Sequence, residues 1–473
     1  MLPVGLAGLL LSKKWLYRFF VFSTLFSATS VANFGAGDDA SGLQIWMFFG
    51  SLWLLRLIID HALTFSFSID KRILRPCIWL IAFLFAASLS LIMPLYIDGR
   101  LGITNSNYND YSETPLFLTW HNVTQVLYLI FGGAIAISVA HSNLEDEDRY
   151  ETERIILLSA LFVSIWGLFQ FFCNITGIAY PDYIFNNSAS GSANGYLENF
   201  LGFNRISSVA VEPSIFSLGL VTLLPLTLPA WLRKGAVFSV SFDRFCAVVF
   251  IIPLILCTSS TAYVGLIILA VLLFPFLLRT HTISIATALR FAAIAGAAVV
   301  AGITIAASSI PLVSDILSAA LLNKYSAGSG MDRAWAVRLS FGYFQKYPLL
   351  GIGWGSSTSH DLIVKLLSNV GIIGTFTFLG AMYCVIHANW LVLAPLVSPM
   401  NLSRAVWSLG FTAFLSICIL IAFPLPFGNF WLILGMAIST GWNAGSVQTH
   451  IVHAESQNQS NPLPLALDRV DLP

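Results

Sequence analysis

Residues Ala262 to Leu278 read AYVGLIILAVLLFPFLL, a run without a single charged side chain. A helix needs about 20 predominantly apolar residues to cross the hydrocarbon core of a bilayer. This run therefore predicts a membrane-spanning helix, and similar runs recur on both sides of it. Together they predict twelve spans, at about 15–33, 43–65, 77–97, 120–141, 154–173, 209–232, 245–260, 262–278, 291–309, 364–388, 405–423 and 427–442.

The composition of the whole chain agrees with a membrane protein. Its 473 residues are 57% hydrophobic and only 10% charged, with a mean hydropathy of +0.81. A soluble protein of this length is far less apolar. We therefore expect an all-α fold, a polytopic membrane helix bundle of about twelve transmembrane helices within residues 1–442. The polar residues 443–473 are expected to form a disordered cytoplasmic tail.

Charge and cysteine content exclude other classes of protein. The 23 basic residues are balanced by 23 acidic ones, and without a dense basic stripe no nucleic-acid partner is expected. The six cysteines lie in or at the end of apolar runs and show no CxxC or Cys/His spacing. Neither a disulfide framework nor a zinc site is predicted, and no other metal or cofactor is expected.

The distribution of Lys and Arg predicts the orientation of the bundle. With both termini in the cytoplasm, most of the 23 basic residues fall on the cytoplasmic side, as the positive-inside rule requires. The first apolar run lacks a convincing cleavage site, so it is predicted to be retained as a span. The long connections then lie outside, at Asp98–Thr119, Asn174–Ser208 and Pro311–Ile363. The outer face is therefore where we expect the protein to act.

The first candidate constellation runs from Arg205 to Ser214 and crosses from a polar outer loop into an apolar helix. Pro213 suits the first helical turn, where its missing N–H costs nothing. Glu212 then lies at the N-cap, where the helix dipole favours a negative charge. The alternative interpretation is a well-capped helix start with a snorkelling Arg205.

The second constellation lies in the long outer segment 311–363. A helix is predicted to start near Ser329 and to end near Lys346, before Pro348. Arg333 and Arg338 are five residues apart, hence about 140° around this helix. Its apolar members would let it lie on the membrane or on other spans, and the alternative is that both arginines are solvated charges. Those apolar members are Trp335, Val337, Leu339, Phe341 and Phe344.

A glycine-rich motif and a histidine follow this helix. The motif Gly351-Ile-Gly-Trp-Gly355 stands just before His360 and the start of the next apolar run. Glycines permit backbone conformations that are closed to other residues, and their amides can approach an anion closely. A histidine with a purely structural role near a helix start is the alternative.

At these residues the chain resembles the bacterial O-antigen polymerase and O-antigen ligase family of polytopic glycosyltransferases, of the glycosyltransferase C type. The later segment carries most of the resemblance. The family's earlier arginine-containing segment is similar to Arg205 together with Glu212-Pro213-Ser214-Ile-Phe216. The later residues are Arg333 with Trp335, Pro348-Leu-Leu-Gly-Ile-Gly-Trp-Gly355, His360 and Gly371-Ile-Ile-Gly374.

The resemblance implies transfer of a glycan from a polyprenyl-diphosphate carrier to a sugar hydroxyl, with inversion and without a metal. It also implies the bacterial cytoplasmic membrane, with the active site on its outer face. His360 is expected to act as the base, and Arg205 and Arg333 to bind the departing diphosphate. Arg338 is a second choice, and Glu212 could orient an arginine or bind sugar hydroxyls. The implied partners are the lipid-linked oligosaccharide, a glycan acceptor, membrane lipid and a chain-length regulator.

Two departures from the ligase pattern favour a polymerase of O-antigen or exopolysaccharide repeat units. Ligases often carry an arginine in a short central outer turn, whereas Cys257 to Tyr263 offers only hydroxyls and an aromatic ring. Asp361 follows His360 where many relatives have an amide. A ligase that transfers glycan to a lipid or other acceptor remains the alternative.

A transporter or flippase of lipid-linked or polar substrates is the alternative of another class. An ionisable residue within a span costs about 2.5–3.5 kcal/mol on insertion scales, so Arg56 needs an explanation. Arg56, Asp60, His61 and Glu212 could line a path, or Arg56 and Asp60 could pair at helical spacing. The outer-face position of the main cluster favours the enzyme.

Overall fold

The apolar runs form helices in the computed structural model of the protein. The structure describes residues 12–35, 41–64, 70–106, 110–189, 196–197, 199–200, 203–232, 235–279, 328–392, 399–421 and 423–442. The predicted span 291–309, the beginning of the outer segment at 311–327 and the predicted tail 443–473 lie outside these residues.

Helices dominate the part of the chain that the structure describes. In order they are α1 Lys13–Ser23, α2 Ile45–Thr64, α3 Leu74–Leu89, α4 Ile92–Ile97, α5 Trp120–Ser142, α6 Asp146–Thr176, α7 Asp182–Phe185, α8 Pro213–Leu223, α9 Leu228–Trp231, α10 Val240–Leu256, α11 Ser260–Arg279, α12 Gly328–Lys346, α13 Leu362–Val392, α14 Pro399–Ile421 and α15 Gly428–Trp442. A 3₁₀ turn, Leu224–Thr227, joins α8 to α9.

Three short antiparallel hairpins, none of them predicted, accompany the helices. Strand β1 Ser30–Phe34 pairs with β2 Ser41–Gln44, β3 Gly102–Thr104 with β4 Glu113–Pro115, and β5 Asn199–Phe200 with β6 Phe203–Asn204. These strands lie in loops between helices. The prediction of a predominantly helical protein is therefore confirmed. They are too short for a period-two pattern to be recognised in the sequence.

Seven helical segments of the described residues are long and apolar enough to cross a membrane, and Ala405–Ile421 is a shorter apolar helix. The seven are Ile45–Leu63, Leu74–Ile97, Trp120–Ser142, Asp146–Thr176, Pro213–Trp231, Ser260–Leu278 and Leu362–Asn389. The structure therefore supports a membrane protein with several spans, and the predicted number of about twelve is not confirmed.

The first predicted span, 15–33, is longer than its helix. Helix α1 ends at Ser23, after which the chain turns and enters β1. The Ser23 and Thr24 hydroxyls donate to the carbonyls of Phe20 at 2.9 Å and Val21 at 2.8 Å. Such hydroxyls compete with the hydrogen bonds of the helix for backbone carbonyls. The hydropathy of the run 15–33 did not indicate that the helix would end at Ser23.

Ion pairs mark one end of the bundle, which we call the basic end. Here α1 and α6 begin and α2 and α5 end. Lys13 Nζ lies 3.6 Å from Asp60 Oδ2, and Arg18 Nε lies 2.6 Å from Glu151 Oε1. Arg56 Nε also lies 3.3 Å from Asp60 Oδ1. The Arg56–Asp60 pair that the sequence suggested is thus present.

The opposite end, which we call the hairpin end, holds the hairpins β1–β2 and β3–β4 and the loop 347–361 between α12 and α13. The amide of Trp354 donates to Ser90 Oγ at 3.0 Å, and Asn122 Nδ2 donates to the Trp354 carbonyl at 2.9 Å. These bonds join the loop to the end of α3 and to the first turn of α5. The chain segments that carry the predicted site therefore meet at this end.

Small residues allow the central helices to approach closely. A Cβ atom on Gly132 of α5 would lie 2.1 Å from the ring of Trp431 in α15. A Cβ on Gly435 would lie 2.7 Å from the carbonyl oxygen of Ala136. Close contact between backbones is a usual source of stability for helices in a membrane, so these glycines fix the position of α15 against α5.

Helix α12 has nearly the predicted bounds, and its buried face includes residues outside the predicted apolar set. Ala336, Ser340 and Tyr343 are buried, and they share one face because they are four and three residues apart. Phe341, one of the apolar residues expected to hold the helix against its neighbours, is 43% exposed. Leu339, a member of the predicted set, packs against the apolar cluster that contains Tyr343. Small, polar and apolar side chains together therefore make the contact surface.

Candidate functional site

Glu212 occupies the helix start that the sequence predicted. It is the N-cap residue of α8, and Pro213 is in the first turn, so this prediction is confirmed. The Glu212 carboxylate accepts a hydrogen bond from Ser214 Oγ at 2.7 Å. The amide of Val211 donates to Ser27 Oγ at 3.1 Å, which ties the start of α8 to the end of α1.

Arg205 is held in the segment that leads into α8. Its Nη2 donates to the carbonyl of Thr258 at 3.3 Å, in the turn between α10 and α11. Its own carbonyl accepts from Gln170 Nε2 at 3.3 Å. The same Gln170 side chain accepts from the amides of Ser207 and Ser208, at 3.1 and 2.8 Å. Helix α6 thus positions the backbone that carries Arg205.

The glycines of the loop 347–361 adopt the left-handed conformations that only glycine accepts readily. Gly351, Gly353 and Gly355 have φ of 66°, 99° and 81°, and Gly371 within α13 has φ of 63°. A Cβ on Gly371 would lie 2.3 Å from the carbonyl oxygen of Leu349. The loop and the kinked start of α13 therefore fit together backbone to backbone.

The amides of this loop are used within the protein. The amide of Ile352 donates to the Ser368 carbonyl at 2.8 Å, and that of Gly353 to the Asn369 carbonyl at 3.1 Å. These two donors are therefore not aimed at a ligand. The sequence suggested that the glycines could cradle an anion, whereas the structure gives them the role of holding the loop against α13.

Asn369 fixes the part of the loop nearest the predicted base, and it was not among the residues predicted for the site. Its Oδ1 accepts from the amides of Ser356 at 3.0 Å and Ser357 at 3.2 Å. Its Nδ2 donates to Ser357 Oγ at 2.9 Å and to the carbonyl of Lys365 at 2.8 Å. A buried asparagine in an apolar span is itself a signal, since polar groups in a membrane helix need partners.

His360 lies directly before α13 at the hairpin end, and its side chain is exposed. Asp361, its neighbour, accepts from the amide of Val364 at 2.8 Å and from Ser359 Oγ at 2.8 Å. Asp361 therefore caps the helix in the manner expected of an acidic residue at this position. The cap fixes the backbone from which the imidazole projects.

Charges from three segments surround His360. Partial burial is the largest reason that its pKa lies below the usual value, and the positive charge of Arg333 comes next. Lys365 lowers the pKa further, whereas the negative charges of Glu212 and Asp332 raise it. The imidazole therefore stays neutral, and able to accept a proton, at pH values where an isolated histidine begins to be protonated.

Arg333 lies in α12, and its side chain contacts the end of α14. Its Nη1 donates to the carbonyl of Ile421, the last residue of α14, at 3.3 Å. This bond joins α12 to α14 and leaves the remaining guanidinium donors for another acceptor. Arg338 lies farther along α12 and is exposed. Its charge is not among the main causes of the shift in the pKa of His360.

Lys365 is a site residue that sequence reasoning passed over. Its Nζ donates to the carbonyl of Ser357 and lies 5.3 Å from the ring centroid of Phe423. It contributes a positive charge close to His360. A lysine in the apolar run Leu362 to Leu367 should have drawn notice, because an ionisable group in a membrane helix is costly and usually functional.

Of the five predicted site residues, Arg333 and Glu212 lie near enough to His360 for their charges to shift its pKa. Arg205 is anchored on the neighbouring turn at Thr258, and a contact between Ser217 Oγ and Cys257 Sγ, at 3.2 Å, joins that turn to α8. Arg338 stands apart. A neutral imidazole beside fixed cations can accept a proton while an anion forms nearby.

The sequence matches no known protein-family model, and no curated protein is significantly similar to it.

Proposed function

We propose that this protein is a glycosyltransferase that joins polyprenyl-diphosphate-linked oligosaccharide repeat units, as a polymerase of O-antigen or exopolysaccharide. The observation that carries the proposal is the cluster at the hairpin end. His360 is partly exposed and lies at one end of the helix bundle. Partial burial and the charge of Arg333 lower its pKa. Proton acceptance next to fixed positive charge is what transfer from a lipid diphosphate requires.

In this proposal His360 is the general base. It takes the proton of the acceptor hydroxyl as the hydroxyl oxygen attacks the anomeric carbon of the donor sugar. The bond between that carbon and the diphosphate oxygen breaks, and the polyprenyl diphosphate leaves with the electron pair. Attack from the face opposite the leaving group inverts the anomeric centre.

Arg333 and Arg205 are the residues that would bind the departing diphosphate. Departure builds negative charge at the edge of a medium of low dielectric constant, where electrostatic stabilisation is strong. A guanidinium group can bind phosphate oxygens with two parallel hydrogen bonds. Lys365 would add a further positive charge, since its charge also lowers the pKa of His360, and Arg338 would contribute less because it is exposed.

Glu212 has an orienting role in the proposal. Its carboxylate accepts from Ser214 and keeps acceptor capacity for a sugar hydroxyl or an arginine. Its negative charge also raises the pKa of His360, which makes the imidazole a better proton acceptor.

We assign the hairpin end to the outer face of the bacterial cytoplasmic membrane. The ion pairs of Lys13, Arg18 and Arg72 with acidic partners lie at the opposite end. Because loops rich in Lys and Arg stay in the cytoplasm, the basic end would be cytoplasmic. The acceptor glycan and the lipid-linked donor would then meet at the outer surface.

The observation that motivated a transporter has a structural explanation. Arg56 pairs with Asp60, which also lies 3.6 Å from Lys13 Nζ. This pairing lowers the cost of placing Arg56 in an apolar helix. The position of Arg56 within a span therefore no longer favours a transporter.

The test is to incubate the purified full-length protein with a polyprenyl-diphosphate oligosaccharide and to analyse the glycan. A lengthened glycan on the carrier is the expected result. Transfer that occurs only when a separate lipid acceptor is added would make the protein a ligase. Unchanged glycan under both conditions, with substrate that crosses liposome membranes, would overturn the proposal in favour of a transporter.

A further inference from the structure

A polar cleft of about 250 Å³ opens at the hairpin end, apart from the charged cluster. We call it the hairpin cleft. Its walls come from the β3–β4 hairpin, from α12 and from the loop before His360, and they include Thr104, Ser112, Ser340, Tyr343, Ser357 and Thr358. Its volume lies just below the range of about 300–1,000 Å³ that is typical of small-ligand pockets. It therefore has room for a small part of a glycan.

The chemistry of the hairpin cleft selects a neutral ligand. Among the described residues that line it, hydroxyl and amide side chains predominate and none carries a charge. A hydroxyl group both donates and accepts hydrogen bonds, so this lining matches a ligand that is itself covered with hydroxyls. A phosphate would find no cation among these lining residues. The carboxylates of Asp110 and Glu113 lie at the edge of the cleft, where they already accept hydrogen bonds from the lining side chains of Asn105 and Thr104.

The walls are held in place by contacts between the hairpin and α12. The amide of Thr104 donates to the Tyr343 hydroxyl at 2.8 Å, and Trp335 Nε1 donates to the carbonyl of Asn105 at 3.2 Å. Ser340 Oγ donates to the carbonyl of Thr358 at 3.1 Å. A site fixed in this way loses little freedom when a ligand binds, which favours affinity.

The rim of the cleft offers an aromatic surface. Tyr111 stands next to the lining residue Ser112, is 64% exposed and meets the ring of Trp335 edge to face at 5.6 Å. An aromatic side chain presents an apolar face together with a polar tip. That combination suits a sugar ring, which has apolar C–H groups on its faces and hydroxyls around its edge.

The hairpin cleft also has the right position relative to His360. Its lining includes Ser356, Ser357 and Thr358, and His360 follows Thr358 by two residues. We propose that the hairpin cleft binds neutral sugar residues of the acceptor glycan and delivers an acceptor hydroxyl toward His360. This inference rests on the proposed function, and it separates a neutral acceptor site from the charged site of the donor diphosphate.

The experiment measures binding to the full-length protein in detergent by saturation-transfer NMR. The probes are the neutral oligosaccharide released by mild acid from the lipid-linked pool and, separately, inorganic diphosphate. Ser106→Trp and Ser112→Trp each place a large side chain in the cleft, because both positions line it. Thr124→Trp is the matched control, since Thr124 is partly exposed on the first turns of α5 and is not among the residues that line the cleft.

We expect the wild type and Thr124→Trp to bind the oligosaccharide equally, and the two filling variants to bind it about tenfold or more weakly. Diphosphate binding should be the same in all four proteins, which also shows that the variants are folded. The inference is overturned if the wild type does not bind the oligosaccharide, or if both filling variants bind it like the control.

Transfer assays separate this inference from the proposed function. If the filling variants raise KM for the acceptor and leave kcat nearly unchanged, both proposals are supported. If the filling variants transfer glycan with an unchanged KM for the acceptor, the proposed acceptor site is overturned. The proposed glycosyltransferase activity is still supported by that result. Oligosaccharide binding without any transfer by the wild type would overturn the glycosyltransferase and reduce the cleft to a sugar-binding site.

Discussion

At the scale of single residues, the chemistry depends on the protonation state of His360. Burial and two cations hold its pKa down, and two carboxylates act in the opposite direction. An ordinary histidine has a pKa near about 6.5, so His360 keeps its base form to lower pH. Transfer should therefore fall on the acid side only as the pH passes through this lowered value.

The first prediction tests whether Arg333 and Glu212 act on His360. Replacing Arg333 with Gln removes a positive charge, so the pKa of His360 should rise. Replacing Glu212 with Gln removes a negative charge, so the pKa should fall. NMR titration of ¹³C-labelled histidine measures both shifts without any need for activity, and His360→Gln identifies the signal. Equal titration of His360 in both variants would mean that the three side chains are not neighbours.

The second prediction compares two arginines on α12. Arg333→Ala should lose a charge-assisted hydrogen bond to the diphosphate, which is worth about 1.5–3 kcal/mol, or roughly ten- to a hundredfold in kcat/KM. Arg338→Ala should cost much less, because Arg338 is exposed and lies about 140° around α12 from Arg333. Steady-state kinetics at matched protein abundance give the comparison. Equal losses of kcat/KM in the two variants would show that Arg338 also acts in the site.

At the scale of elements, the site depends on how α13 begins. Its first turns are kinked at Gly371, and the loop 347–361 lies against that kink through amide-to-carbonyl bonds such as Ile372 to Pro348, at 2.8 Å. His360 and Lys365 are both carried by this unit. A shift of the kink would therefore move the base and its nearest cation together.

The third prediction measures the strength of this fit. Gly371→Ala should destabilise the protein strongly, because its Cβ would collide with the Leu349 backbone in addition to the cost of a left-handed residue, about 1–2 kcal/mol. Gly177→Ala is the matched control, since Gly177 has φ of 72° and open space around it. Thermal unfolding in detergent should show a clearly larger drop for Gly371→Ala. Equal drops would show that the backbone contact does not matter.

The elements also show what the sequence could and could not predict. Runs of apolar residues placed most helices, and Pro213 and Pro348 marked a helix start and a helix end. The break after Ser23, the hairpins and the buried face of α12 escaped prediction, because each depends on partners that are distant in the chain. Glu212, Arg333 and His360 were chosen as candidates from their residue types, and their role in a site stays a prediction. Asn369 and Lys365 were missed, although polar residues in an apolar run are a readable signal.

At the scale of the whole molecule, the charges are sorted between the two ends of the bundle. Ion pairs gather at the basic end, and the uncharged cleft and the His360 cluster lie at the hairpin end. This arrangement places the uncharged hairpin cleft and the proposed diphosphate site at the same end of the bundle.

The fourth prediction concerns the orientation of these ends. Tyr111→Cys at the hairpin end should react with a membrane-impermeant maleimide in intact spheroplasts. Lys14→Cys at the basic end should react only after permeabilisation, because that end is predicted to be cytoplasmic. The six native cysteines are buried, which keeps the background low. The reverse pattern would place the His360 cluster on the wrong side for an outer-face polymerase.

The most direct test of the account is the transfer activity of His360→Ala, measured with purified protein and a polyprenyl-diphosphate oligosaccharide. His141→Ala is the control, since His141 is also exposed but lies at the basic end of α5. Loss of a general base should lower the rate of glycan lengthening by about 10²–10⁴, whereas the control should retain the wild-type rate. Lengthening at the wild-type rate by His360→Ala would contradict the account.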